Sequence, residues 1–131
     1  MVLLIYDDLK PRRIRPYNNE LISVIVPCYN ERPELLAETL HSVFQAHGNK
    51  EIILIDDGTV GESRWLISLM EIHPKCKVRV FSHNQGKREA LHYAITHLLS
   101  PESYAVVTID SDTILDKNAF IEIVRPLSDP K

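Results

Sequence analysis

The chain has 131 residues, of which 44% are hydrophobic and 25% are charged, and its formal net charge is −3. This length suits a single domain with one hydrophobic core, and the composition is that of an ordinary globular protein, which excludes extensive disorder. The negative charge argues against a general nucleic-acid binder, which is usually basic. Cys28 and Cys76 lack metal-ligand spacing and indicate free thiols in a reducing compartment.

The first twenty residues are predicted to form an extended leader ahead of a domain at residues 21–131. Prolines and the Asn18-Asn19 turn signal favour this interpretation. The leader is basic over residues 10–15, and this segment is either a solvated arm or one that lies near anionic lipid. The first residues lack the basic start and long apolar centre that are typical of a secretory signal, and the sequence has no apolar run of about 18–20 residues. We therefore expect a cytoplasmic location, at the cytoplasmic face of the membrane in a full-length form.

From Leu21 onward, strand patterns alternate with helix patterns. The predicted strands cover residues 23–26, 52–55, 78–81 and 104–109. Four amphipathic helices are predicted. The first begins at Pro33, the second includes Trp65, Leu66, Leu69 and Met70, the third includes Ala90 through Leu98, and the fourth includes Phe120 and ends near Pro126. This alternation predicts an α/β fold with a mostly parallel sheet flanked by helices.

Polar residues follow each of the four predicted strands. These segments are residues 27–31, 56–57, 83–88 and 110–112. Ligands of open parallel sheets bind at the carboxyl ends of the strands. We therefore expect the four loops to converge on one binding site.

Asp110 and Asp112 stand one residue apart where the last predicted strand ends. Carboxylates are the hard oxygen ligands that Mg²⁺ or Mn²⁺ takes, commonly together with substrate phosphates. Two carboxylates about 5 Å apart repel by roughly 3 kcal/mol at an effective dielectric near 20, unless a cation, a proton or a positive side chain relieves them. The alternative is a loop whose aspartates face away from each other into water.

The first two loops each allow a binding interpretation and a structural one. Tyr29 and Glu31 can stack on a planar base and accept its polar hydrogens, or they can pack against and cap the next helix. Asp57 precedes glycine in a common turn dipeptide. In the binding interpretation, backbone donors satisfy Asp56 and only Asp57 faces the ligand.

Lys87 and Arg88 follow Gly86 at a predicted helix start. Helix amides together with a lysine suit phosphate oxygens. The alternative is that both charged side chains are simply solvated. The Gly86-Lys87 pair favours phosphate binding.

Four segments of the chain resemble the successive motifs of family 2 glycosyltransferases. They are residues 23–31 (SVIVPCYNE), 53–58 (ILIDDG), 84–91 (NQGKREAL) and 109–113 (IDSDT). The third and fourth are most similar to those of hyaluronan synthases and rhizobial chitooligosaccharide synthases. The resemblance implies a Rossmann-like GT-A nucleotide-sugar-binding half and the use of a UDP-sugar donor.

The same resemblance implies roles for individual residues. The implied nucleotide-binding residues are Pro27, Tyr29, Glu31, Asp57, Lys87 and Asp110. Tyr29 would stack on uracil, Asp57 would contact the nucleoside, and Lys87 would reach the diphosphate. Asp110 and Asp112 would bind Mg²⁺ or Mn²⁺, with Asp112 as the direct ligand. The implied reaction is an inverting sugar transfer to a glycan acceptor.

Members of this family place a catalytic-base carboxylate well beyond the metal motif. The chain ends at Lys131, so we expect the base beyond that residue and expect this chain to bind the donor without the acceptor half. The full-length relatives are expected to be membrane-embedded, and an uncovered sheet edge favours self-association of the chain. The alternative function is a non-catalytic nucleotide-binding fragment or pseudoenzyme.

Overall fold

The computed structural model describes residues 2–4 and 18–124. Its strands are β1 (Val2–Leu4), β2 (Ile22–Cys28), β3 (Lys50–Asp56), β4 (Cys76–Val80) and β5 (Ala105–Thr108). Its helices are α1 (Pro33–Gln45), α2 (Arg64–Met70), α3 (Lys87–Tyr93) and α4 (Ala119–Val124), and a π-helical turn, Ala94–Leu98, continues α3. None of the helices in these ranges has the length and apolar character that a bilayer span requires.

The strands form one sheet in the order β1-β5-β2-β3-β4. β5, β2, β3 and β4 are parallel to their neighbours, and β1 pairs antiparallel with β5, with Val2 opposite Thr108. The predicted mostly parallel sheet flanked by helices is therefore confirmed. β1 falls within the segment predicted as a leader, and no strand was predicted there. The basic residues 10–15 and the predicted helix end near Pro126 lie outside the described residues.

The sheet has helices on both faces, which explains why its central strands read as continuous apolar runs. Every residue of β2 is buried, and all but the first residue of β3 are buried as well. Leu36, Val43 and Phe120 bring α1 and α4 onto one face, while Ala90 and Ala94 bring α3 and the π-helical turn onto the other. The helices cover the two faces of the sheet and leave the carboxyl ends of its strands accessible.

Helix α2 buries only part of its predicted apolar face, because Leu66 and Met70 pack on the core and the other two residues do not. Ile67 and Met70 are buried, whereas Trp65 and Leu69 are 57% and 53% exposed. The helix is seven residues long and contacts the edge strand β4, so only a narrow stripe of it reaches the core. The edge strand itself alternates, with Cys76 buried and Lys77 and Arg79 exposed. Charged side chains on an edge strand oppose pairing with another chain.

A buried glutamate ties the amino ends of the parallel strands together. Glu51 of β3 accepts hydrogen bonds from Ser23 Oγ (2.6 Å) and Ser100 Oγ (2.7 Å), and Lys77 Nζ lies 3.0 Å from Glu51 Oε1. Burial raises the pKa of Glu51, but the hydrogen bonds from Ser23, Ser100 and Lys77 outweigh it and hold the pKa below its ordinary value of 4.5. This contact set lies at the opposite end of the strands from the predicted site.

Candidate functional site

A cleft of about 410 Å³ opens at the carboxyl ends of the parallel strands. Its lining comes from the four loops that follow β2, β3, β4 and β5. The residues predicted as site residues all line it: Pro27, Tyr29, Glu31, Asp57, Lys87, Asp110 and Asp112. The structure thus brings the seven together, while their individual roles stay predictions.

Asp56 lies beneath the cleft and does not face it. It is fully buried, and its carboxylate accepts hydrogen bonds from the backbone amide and the hydroxyl of Thr59 and, at 3.4 Å, from Arg64 Nη1. Burial and the neighbouring Asp56 raise the pKa of the Cys28 thiol, which leaves that thiol protonated at neutral pH. The prediction that backbone donors satisfy Asp56 is thus confirmed in part, because the side chains of Thr59 and Arg64 donate to it as well.

Asp57 connects the turn after β3 to the loop before α3. Its Oδ1 accepts a hydrogen bond from the Gln85 amide at 2.7 Å, and its Oδ2 accepts bonds from the Gly86 amide at 2.9 Å and from Asn84 Nδ2 at 3.0 Å. The two backbone amides that precede α3 are therefore occupied by this carboxylate. The sequence analysis missed this function of Asp57. The available signal was that the two loops follow adjacent parallel strands, β3 and β4.

Glycine is required where these two loops meet. Gly58 has φ +90°, and a Cβ at this position would lie 2.7 Å from the backbone carbonyl carbon of His83 and 2.8 Å from the Asn84 nitrogen. Gly86 has φ +101°, but a Cβ there would meet no atom within 4 Å. Gly58 is thus needed for close backbone approach, and Gly86 for its backbone conformation alone.

The loop after β2 turns its aromatic side chain outward. Asn30 has φ +51°, donates its amide hydrogen to Thr59 Oγ1 at 2.9 Å and accepts a bond from the Val60 amide at 3.1 Å through Oδ1. Tyr29 is 49% exposed and lines the cleft. About half of the Tyr29 side chain is therefore accessible from the cleft.

Glu31 connects the first loop to the last one. Ser111 Oγ donates a hydrogen bond to Glu31 Oε2 at 2.8 Å, and Thr39 Oγ1 of α1 donates to the Ser111 carbonyl oxygen at 2.8 Å. The other oxygen of Glu31 accepts a bond from the adjacent Arg32 amide at 3.1 Å. These bonds position the loop that carries Asp110 and Asp112 against the loop that carries Tyr29.

Lys87 forms an ion pair with Asp110 across the cleft. The two side chains are 61% and 56% exposed. The hydrogen bond from Lys87 and its positive charge lower the pKa of Asp110. A positive side chain therefore relieves the repulsion expected between Asp110 and Asp112.

Asp110 and Asp112 bring two carboxylates to the cleft. Within residues 2–4 and 18–124, no group of three or more His, Cys, Asp or Glu side chains is arranged to hold a metal ion. Asp110 and Asp112 are both exposed and both line the cleft. Two carboxylates fit a Mg²⁺ or Mn²⁺ ion whose remaining ligands are phosphate oxygens and water.

The overall fold matches known structures of transferases. The mannosyltransferase PcManGT from Pyrobaculum calidifontis, solved with GDP-Man and Mn²⁺, matches with a TM-score of 0.74 and 24% identity over 93% of this chain and 37% of that one. S. aureus TarS 1–349 in complex with UDP-GlcNAc matches with a TM-score of 0.61 and 24% identity over 79% of this chain and 30% of that one. The fold is therefore the Rossmann-like GT-A fold of glycosyltransferases, as predicted.

The chain belongs to glycosyl transferase family 2, whose family model matches residues 23–131. It is 31% identical to an N-acetylglucosaminyltransferase of Bradyrhizobium elkanii in an alignment that covers 83% of this chain and 60% of the relative. It is also 31% identical to a hyaluronan synthase of Streptococcus pyogenes in an alignment that covers 92% of this chain and 29% of the relative. The chain thus spans about three fifths of the first relative and less than a third of the second.

Proposed function

We propose that this chain is the donor-binding part of a glycosyltransferase that binds a UDP-sugar together with Mg²⁺ or Mn²⁺ and supports inverting transfer to a glycan acceptor. The observation that carries the proposal is the convergence of Tyr29, Asp57, Lys87 and Asp112 on one cleft, although they follow four different strands. Ligands of open α/β sheets bind at this edge.

The base of the nucleotide is assigned to the side of the cleft formed by the loops after β2 and β3. Tyr29 presents a half-exposed ring on which uracil stacks, with Pro27 and Glu31 beside it. Asp57 lies at the same end and contacts the nucleoside, while its carboxylate also orders the loop before α3. We favour uracil as the base because the TarS structure contains UDP-GlcNAc. Guanine is the alternative base to test because the PcManGT structure contains GDP-Man.

The diphosphate is assigned to the part of the cleft between the loop after β5 and the start of α3. Asp112, with Asp110, would hold the divalent ion, and Lys87 reaches the same space from the start of α3. When bound, the ion neutralises the charge that develops on the departing UDP. The acceptor hydroxyl attacks the anomeric carbon from the face opposite to UDP, which inverts the configuration.

The general base is assigned to a carboxylate outside this set. Glu31 accepts bonds from Ser111 and Arg32, Asp57 accepts three bonds, and Asp110 pairs with Lys87. Each of these carboxylates therefore has a positioning task within the cleft. We place the base beyond Lys131 in the acceptor half, as the family resemblance implies.

Isothermal titration calorimetry with UDP, in the presence and absence of MnCl₂, tests the proposal. We expect UDP binding that depends on the metal and exceeds GDP binding. Asp112→Asn should weaken metal-dependent binding by about tenfold, because a charged ligand is lost. The matched control is Asp116→Asn, since Asp116 is an exposed aspartate of the same loop that does not line the cleft. Equal affinities for the two variants, or no UDP binding with Mn²⁺, would overturn the proposal.

A transfer assay then tests where the general base lies. Because we place the base beyond Lys131, the 131-residue chain should bind UDP without releasing sugar to water or to an added chitooligosaccharide. Measurable transfer by the 131-residue chain would instead show that the base lies within it.

A further inference from the structure

Lys87 forms an ion pair with Asp110, which is one of the two carboxylates assigned to the metal. Its ammonium group contacts Asp110 Oδ1, and both side chains are more than half exposed. Exposed ion pairs contribute little net free energy, so this pair exchanges readily with a competing cation. Two positive groups cannot share one carboxylate oxygen without repulsion.

We propose that Lys87 is a resident counter-ion of Asp110 that exchanges with the divalent ion, and that the released ammonium group then binds the donor's diphosphate. This inference rests on the proposed function and deepens it. It gives Lys87 two opposite effects on the site. The side chain opposes metal binding when nucleotide is absent, and it strengthens nucleotide binding once the metal is present.

The local structure allows the ammonium group to move while the backbone stays in place. The turn before Lys87 is fixed because Asp57 accepts hydrogen bonds from the Gln85 and Gly86 amides. Lys87 is the first residue of α3, and its ammonium group is carried on a flexible four-carbon stem. Only the Lys87 side chain has to move, from Asp110 toward the space in which the diphosphate is proposed to bind.

The small number of metal ligands on the protein determines how metal and nucleotide displace Lys87 from Asp110. With two carboxylates and no group of three His, Cys, Asp or Glu ligands among the described residues, the protein holds a bare divalent ion weakly. A nucleotide diphosphate brings further oxygen ligands for the ion and a new anionic partner for Lys87. Metal and nucleotide therefore displace the lysine together more effectively than the metal does alone.

Lys87→Met provides the test because the two effects have opposite signs. Mn²⁺ binding to the full chain without nucleotide is measured by electron paramagnetic resonance, and UDP binding at saturating Mn²⁺ is measured by calorimetry. We expect Lys87→Met to bind Mn²⁺ about threefold more tightly than the unmodified chain, because a competing charge is gone. The same variant should bind UDP about tenfold more weakly, because a charged phosphate contact is lost.

Arg88→Met is the matched control. Arg88 carries the same charge one residue further along, is exposed, and does not line the cleft. It reports the effect of net charge alone on Mn²⁺ binding. Lys87→Gln, a second variant of this exposed position, repeats the measurement with a polar side chain, and circular dichroism verifies that each variant is folded.

The outcomes separate the inference from the proposed function. Equal Mn²⁺ affinities for Lys87→Met and Arg88→Met would overturn the exchange, even if UDP binds as proposed. Weaker Mn²⁺ binding by Lys87→Met would overturn it as well. Failure of the unmodified chain to bind UDP at saturating Mn²⁺ would contradict the proposed function, whereas tighter Mn²⁺ binding by Lys87→Met would still support the competition at Asp110.

Discussion

The carboxylate of Asp57 accepts a hydrogen bond from the backbone amide of Gly86 at 2.9 Å, and this bond joins the end of β3 to the turn before α3. The Gln85 amide and the Asn84 side chain donate to the same carboxylate, which is only 4% exposed. A single acidic side chain thus sets the position of the loop that carries Lys87.

Asp57→Asn is expected to destabilise the chain. The new amide nitrogen cannot accept the hydrogen bonds that the replaced oxygen accepted, so donors in the loop before α3 lose their charged partner. We expect a loss of about 1.5–3 kcal/mol in the free energy of unfolding, measured by urea denaturation. Asp116→Asn, on an exposed residue, should stay within about 0.5 kcal/mol of the unmodified chain. Superimposable unfolding curves for the two variants would show that the bonds to Asp57 contribute little.

Gly58→Ala and Gly86→Ala form a matched pair that separates a steric clash from backbone strain. Gly86 has φ +101° and ψ 152°, a region that other residues enter at a cost of about 1–3 kcal/mol, and nothing obstructs a Cβ there. Gly58→Ala adds a contact of 2.7 Å with the backbone of His83, so its unfolding free energy should fall further. Urea denaturation of both variants measures the difference. Equal losses would mean that the loops separate at little cost.

Tyr29→Ala is expected to weaken UDP binding without unfolding the chain. Stacking of a base on an aromatic ring contributes about 1–3 kcal/mol, which corresponds to about 5- to 150-fold in affinity. Tyr29→Phe keeps the ring and should retain most of the affinity. Trp65→Ala, which removes another exposed aromatic residue outside the cleft, is the control. Unchanged UDP affinity of Tyr29→Ala by calorimetry would rule out stacking on this ring.

Glu51→Gln is expected to change how stability depends on pH. The folded pKa of Glu51 lies below 4.5, so its charged form contributes stability at higher pH and that contribution is lost as the pH falls through the folded pKa. At about pH 7 the variant should be less stable by about 1–3 kcal/mol, because Ser23, Ser100 and Lys77 lose a charged acceptor.

The difference between Glu51→Gln and the unmodified chain should then shrink as the pH falls below 4.5. Urea midpoints across this range measure it. Glu102→Gln, at an exposed position, is the control for removing a carboxylate. If the stability difference between the variant and the unmodified chain stayed constant or grew on acidification, Glu51 would not be the group whose titration changes stability.

The parallel strands were predictable because their signal is local. The central parts of β2 and β3, residues 24–26 and 52–55, are runs of apolar, mostly β-branched residues, and such runs are typical of strands buried on both faces. β1 was missed because it has three residues, and because its partner β5 lies about a hundred positions away in the sequence. The predicted apolar face of helix α2 was right for Leu66 and Met70 and wrong for Trp65 and Leu69, since the position of a short helix over an edge strand is set by tertiary contacts.

The composition of the cleft was predictable, but the contacts within it were not. A parallel sheet requires the four loops to share one edge, so Tyr29, Asp57, Lys87 and Asp112 could be grouped from sequence alone. The bonds from Asp57 to Gln85 and Gly86 depend on how closely two loops approach, and no periodicity encodes that distance. The bond between Ser111 and Glu31 has the same origin, since these residues are eighty positions apart.

The antiparallel pairing of Val2–Leu4 with β5 has a practical consequence for expression of this protein. A gene trimmed to start at residue 21, where the strand–helix pattern begins, would remove the outer neighbour of the strand that leads to Asp110. The backbone amides and carbonyls on that side of β5 would then be open to strands of other molecules. Oligomers on size-exclusion chromatography should follow, so the first residues belong in any recombinant version used to study the cleft.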